Sequence, residues 1–175
     1  MKHVILTIVL LLASGLVIAQ TKMSDQLSKT TKMNAQSKIY FAGGCFWGTE
    51  HFMKQINGVT STQVGYANGK TSIKNPTYEQ VCNDNTGFAE TVEVSYDPQQ
   101  ADLKLLLELY FKTIDPTSLN RQGNDRGSQY RTGIYYTNAA DLPIIKEAIE
   151  TLAKKYSKPI VVAVSYTHLT LPTIR

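Results

Sequence analysis

The period of apolar positions along this chain switches between two and 3.6 residues, and each switch marks an element. Lys38–Ala42 is a short apolar run ending in Gly43-Gly44, the pattern of a buried strand entering a tight turn. From Phe46 to Ile56 the spacing becomes helical, with Phe46, Trp47, Phe52, Met53 and Ile56 apolar and Asn57-Gly58 as the stop. Val59–Tyr66 is rich in β-branched residues and predicts a second strand, followed by a loop carrying Asn68-Gly69 and Asn75-Pro76. Thr91–Tyr96 alternates strictly, with Val92, Val94 and Tyr96 on one face and Thr91, Glu93 and Ser95 on the other. That alternation predicts a half-buried strand, ended by Asp97-Pro98. Leu103, Leu106, Leu107, Tyr110 and Phe111 repeat at helical spacing behind a capping Asp102.

Asp115–Arg131 has no period, and a polar stretch of that length inside a domain predicts a functional loop. Thr132–Tyr136 reads as a fourth strand, Asn138 with Asp141 opens a helix through Tyr156, and Ile160–Val164 is a last strand. Strand-helix-strand-strand-helix-strand, then helix and strand, predicts an α+β fold of the ferredoxin-like split βαβ type, an α-β plait. Its two-layer sandwich would place helices on one face of a mainly antiparallel sheet. Strands two and three lack an intervening helix, which argues against a doubly wound sheet.

The chain has 175 residues, 42% hydrophobic and 18% charged, enough for one domain with a substantial core. Its formal charge of +4 is scattered, with no basic run interleaved with aromatics, so nucleic acid is not an expected partner. Met1-Lys2-His3 followed by the apolar run Val4–Ile18 and Ala19 reads as a signal peptide over residues 1–19. The apolar run is short for a bilayer span. Export to a periplasmic or other extracytoplasmic location is expected, with membrane anchoring if the signal stays uncleaved. Residues 20–37 read as a linker and 38–164 as the folded domain.

Two cysteines fall in the exported part, Cys45 and Cys82. One structural disulfide between them is the plain reading for an oxidising compartment. With one domain histidine they make a poor zinc site, and no metal is expected. Gly43-Gly44-Cys45-Phe46-Trp47-Gly48 puts a thiol where a strand turns sharply into the first turn of a helix. The free amides and dipole there favour an anion, hence the nucleophilic thiolate. Adjacent Phe46 and Trp47 cannot both fill one core stripe, so at least one lines the mouth of a site.

Gly44 to Gly48 resembles the signature of the methionine sulfoxide reductase A family, the peptide-methionine (S)-S-oxide reductases. The likeness continues through Gly65-Tyr66, Asn75 to Tyr78, Val81-Cys82, Thr86-Gly87, Ala89-Glu90, Tyr96 to Pro98, Asp115 to Thr117 and Arg121 to Arg131. It covers roughly Ile39–Tyr136, and ordered blocks of this kind are far more specific than one short motif. The resemblance implies an oxidoreductase that repairs proteins under oxidative stress, with Cys45 as a redox-active nucleophile attacking the sulfoxide sulfur and becoming a sulfenic acid. It implies Glu90 as general acid, Tyr78 and Tyr130 as hydrogen-bond donors to the polarised oxygen, and Asp125 as a further carboxylate of the site. Phe46 and Trp47 resemble the pocket for the methyl group on sulfur. No cofactor is implied. The implied partners are oxidised proteins or free methionine sulfoxide, and thioredoxin or another thiol reductant, acting on a monomer. Cys82 resembles a non-catalytic position and is given a structural role.

Two departures stand out. Phe88 occupies a position where relatives usually carry His, removing a hydrogen-bonding group near Glu90. Family likeness ends near Val164, and 165–175 reads as an atypical tail, an artefact of a truncated or altered end. The recycling route therefore stays open between a resolving cysteine with thioredoxin and direct reduction by an outside thiol. A cysteine hydrolase would need a histidine base, but His51 lies six residues after Cys45, about 240° around a helix. A non-catalytic secreted domain stapled by Cys45–Cys82 is the remaining alternative.

Overall fold

The elements, in chain order, are β1 (Ser37–Gly43), α1 (Phe46–Met53), β2 (Val59–Ala67), α2 (Tyr78–Cys82), β3 (Ala89–Tyr96), α3 (Leu103–Phe111), β4 (Arg121–Gln122), β5 (Asp125–Arg126), a 3₁₀ turn (Ser128–Tyr130), β6 (Thr132–Tyr136), α4 (Asp141–Ala153) and β7 (Ala163–Tyr166). The computed structural model describes residues 36–83 and 86–167. The expected signal peptide, residues 20–35 of the linker and residues 168–175 of the tail lie outside the described residues.

The main sheet runs β2-β3-β1-β6-β7. The ladders β2–β3, β3–β1 and β1–β6 are antiparallel, whereas β6 and β7 pair parallel, so the sheet is mixed. The reason lies in the connection. β6 leads through the packed helix α4 to β7, and a crossover of that kind brings the chain back parallel to the strand it left.

Alternation along β1 sorts the two faces. Ile39 and Phe41 join the large core with Met53 of α1, Leu106, Leu107 and Tyr110 of α3, and Ile145 and Leu152 of α4. Tyr40 and Ala42 point the other way, with Ala67, Ala89 and Tyr135. The helical residues of the described core thus all lie on one side of the sheet. α3 contributes most: its i, i+3, i+4, i+7 stripe is buried, each leucine contributing about 1.5–3 kcal/mol, and Asp102 caps it by accepting from the Leu105 amide at 2.8 Å.

Several sequence expectations need correction. β3 is buried along its whole length and not half-buried, because β2 and β1 flank it; Glu93 is held there by Lys38 at 2.5 Å. α1 stops at Met53, since Gln55 and Ile56 turn tightly back onto the Phe52 and Met53 carbonyls. The loop after β2 contains α2, and the loop after α3 contains the β4–β5 hairpin and the 3₁₀ turn. α4 ends at Ala153 and its N-cap is Ala140; Asn138 instead caps the preceding turn by accepting from the Ala140 amide at 3.1 Å. The last strand begins at Ala163 because Val161 donates to the Pro116 carbonyl at 2.8 Å and joins β6 only afterwards. It continues through Tyr166, two residues beyond Val164.

Tyr110 locks the strand ends that carry the site. Its hydroxyl donates to the Ala42 carbonyl at 2.6 Å and accepts from the Gly133 amide at 3.1 Å, bridging β1 and β6 from inside the core. Tyr110→Phe leaves both backbone groups without that partner while keeping the ring. The expected loss is about 1–3 kcal/mol of folding stability, measured by urea denaturation.

Candidate active site

The centre of the site is the junction of β1 and α1. Gly43 packs against Ile114, Thr49 and Tyr110, and Gly44 takes φ +80°, where a Cβ would lie 2.7 Å from Gln122 Cβ. Only glycine meets both demands cheaply. Cys45 follows as the N-cap residue of α1, in extended conformation (φ −60°, ψ 122°), and its side chain makes no capping hydrogen bond. The thiol is therefore left free, and partly buried, at the positive end of the helix.

The capping role falls to another strand. Glu90, near the start of β3 and only 2% exposed, places Oε2 3.0 Å from the Phe46 amide, the residue directly after Cys45. Burial pushes its carboxyl above the ordinary glutamate range; the Phe46 amide pulls the other way, and the nearby charge of Asp125 adds to the rise. Asp125 reaches this neighbourhood on the β4–β5 hairpin. That hairpin is fixed by Gln122, whose amide group accepts from Asp115 N at 2.8 Å and donates to the Asp115 carbonyl at 2.9 Å while its stem covers Gly44.

Tyr66 pairs with Glu90 across the β2–β3 ladder and stacks on Phe46 with ring centroids 5.9 Å apart. Tyr78 opens α2 and is 56% exposed; hydrogen bonds to the Cys82 thiol and the Tyr130 hydroxyl push its phenol well above the usual tyrosine value. Burial pushes Tyr130 up, with Glu90, Cys82 and Asp125 adding to the rise. Phe46 is buried, and Trp47 stands 55% exposed with its ring edge-to-face on Phe46 at 5.1 Å. Arg131 ties the surrounding loops together, donating to the carbonyls of Ser128 at 3.0 Å, Gly87 at 2.9 Å and Asn68 at 3.3 Å.

One small partly buried cluster thus gathers a free thiol, a buried carboxyl, a second carboxylate and three phenols. Such a set can deliver a soft nucleophile to an electrophilic atom and a proton to the oxygen leaving it. Among the described residues no group of three or more His, Cys, Asp and Glu side chains is placed to hold a metal. A cavity of about 680 Å³ lies elsewhere, between α3 and α4, and none of these residues lines it.

The sequence model described as peptide methionine sulfoxide reductase matches residues 37–170. The chain belongs to this family. It is 62% identical over 126 residues to the peptide methionine sulfoxide reductase MsrA of Lachnoclostridium phytofermentans, covering 72% of this chain and 75% of that protein. Its fold is similar to that of Mxr1 from Saccharomyces cerevisiae in reduced form, with TM-score 0.73, 36% identity and 77% of each chain covered. It is also similar to Mxr1 in complex with Trx2, with TM-score 0.57, 26% identity, and 77% of this chain and 78% of that one covered.

Within this reductase chain, three features were not read from the residues alone. α2 carries a capping box, in which the Thr77 side chain accepts from the Gln80 amide and Gln80 accepts from the Thr77 amide at 2.9 Å; Thr77-x-x-Gln80 was the available signal. Cys82, read as structural, ends that helix and lies against the tyrosines of the site. Cys45 and Cys82 are both free thiols, so the stapling disulfide is absent. Phe88 is buried against Gly69, filling the space a Cβ there would need.

The glycines of the signature separate into two kinds, which gives a stability test. Gly44→Ala should destabilise by about 1–2 kcal/mol through its left-handed backbone, and further through the clash with Gln122. Gly48 lies in α1 with nothing within 4 Å of an added Cβ, so Gly48→Ala should stabilise by about 0.5–1 kcal/mol. Parallel urea melts of the two variants check the contrast.

Proposed function

We propose that this chain reduces methionine S-sulfoxide, in proteins and as the free amino acid, with electrons from a thiol. The observation that carries the reading is the buried Glu90 carboxyl bonded to the Phe46 amide, one residue from the free Cys45 thiol. Cys45 attacks the sulfoxide sulfur while Glu90 delivers a proton to the oxygen. The protonated oxygen then passes from the substrate sulfur to the Cys45 sulfur as the transient S–S bond and the substrate S–O bond break, releasing methionine and leaving Cys45 as its sulfenic acid. Two thiol groups of the reductant then return Cys45 to the thiol, releasing water and a disulfide.

Tyr78 and Tyr130 hold the polarised oxygen in this reading, and burial, with the like charge of Asp125 adding to it, keeps the proton on Glu90. Phe46 and Trp47 form the pocket for the methyl group and select the S epimer. The relative solved with Trx2 supports a reductant of the thioredoxin type. We read the enzyme as exported and monomeric. The order β2-β3-β1-β6, with α1 joining β1 to β2 and α3 lying between β3 and β6, supports the ferredoxin-like plait reading of the first four long strands.

The test is turnover of separated S and R epimers of a methionine sulfoxide peptide with excess dithiothreitol, beside a Cys45→Ser control. Turnover of the S epimer alone, lost in the variant, is expected. Equal turnover of both epimers, or activity surviving in Cys45→Ser, contradicts the proposal.

A further inference from the structure

Tyr66 and Tyr130 lie near Glu90 and Tyr78 lies against Tyr130, and the three hydroxyls differ in what they do. The Tyr78 side chain hydrogen-bonds those of Cys82 and Tyr130. Tyr66 is fully buried, yet among the described residues its hydroxyl has no hydrogen-bond partner. Buried hydroxyls are ordinarily satisfied, so an orphaned one beside a reactive cluster calls for a ligand. Tyr40, beside Glu93, and Tyr135, beside Arg131 and Asn68, belong to the opposite face of the sheet, away from Phe46 and Glu90.

The position of Tyr66 is fixed from three sides. Its backbone pairs with Glu90 in the β2–β3 ladder. Its ring stacks on Phe46 at 5.9 Å with planes 29° apart. Its hydroxyl lies within electrostatic reach of the Glu90, Cys82 and Tyr130 side chains.

We propose that Tyr66 is a further catalytic residue, whose hydroxyl donates a hydrogen bond to the oxygen of the bound sulfoxide next to the proton supplied by Glu90. The inference rests on the sulfoxide reductase reading given above. A sulfoxide oxygen carries most of the negative end of a strong dipole and accepts more than one hydrogen bond. Its charge grows as the Cys45 sulfur adds to the substrate sulfur, so a donor held in place gains most in the transition state. Burial holds the phenol neutral, and a neutral phenol can donate throughout the working pH range. No electrons pass through Tyr66; it only stabilises oxygen until the S–O bond breaks.

Tyr66→Phe is the decisive variant, because it keeps the ring on Phe46 and removes only the unpaired hydroxyl. Reduction of the S epimer should fall about 10- to 100-fold in kcat/KM, chiefly in the single-turnover rate. Two readouts should not fall with it: the thermal midpoint, and the rate at which iodoacetamide alkylates Cys45. S-epimer turnover within twofold of the unchanged enzyme overturns the inference. So does a parallel loss of activity, thermal midpoint and alkylation rate, which marks a packing role. Absence of turnover in the unchanged enzyme overturns the reductase reading itself, and this inference with it.

Discussion

A carboxyl group removed from water must find hydrogen bonds inside the protein or give up its charge, and Glu90 sits between these outcomes. Among the described residues its one hydrogen-bond donor is the Phe46 amide, at 3.0 Å. That amide is among those left free at the start of every helix, and it adjoins Cys45, the proposed nucleophile. One contact therefore joins two strands of argument. It orients the acid beside the nucleophile, and it leaves the acid short of the bonds that would keep it ionised. Because burial raises its pKa, the stability contributed by the neutral carboxyl is complete at low pH and is lost as pH rises through that raised value.

The rest of the fold can be read as support for that contact. β3 lies inside the sheet with β2 and β1 on either side, so Glu90 and its cross-strand partner Tyr66 cannot escape to solvent. Tyr110 ties the end of β1 to β6 just before the glycine turn. Gln122 holds the hairpin carrying Asp125 against Gly44, and Arg131 gathers three loop carbonyls around the cluster. Tyr78, Asp125 and Tyr130 stand on short elements within long connections, and these polar ties stand in for the ladders such connections lack.

Much of this was legible in the sequence, for identifiable reasons. β1, β6 and α3 were readable because their apolar periods are strong and their ends carry glycine or a capping aspartate. The reactive place of Cys45 followed from a strand, two glycines and a helix start, a purely local signal. The full burial of β3 was not legible: Thr91, Glu93 and Ser95 look like a solvent face, and only its place between two strands covers them. The same blindness made Glu90 resemble a surface residue without the family likeness. α2 is five residues long, too short for an apolar period, and Tyr66 reads as one more strand aromatic until its partner across the ladder is known.

The central claim is that Glu90 carries its proton at pH values where an ordinary glutamate has lost it. Infrared difference spectroscopy tests this directly, following the protonated-carboxyl band present in the unchanged protein and missing from Glu90→Gln. The account predicts that this band titrates well above the ordinary glutamate value of about 4.3. Titration at or below that value would contradict it, because the proton assigned to the sulfoxide oxygen would then have no source in Glu90.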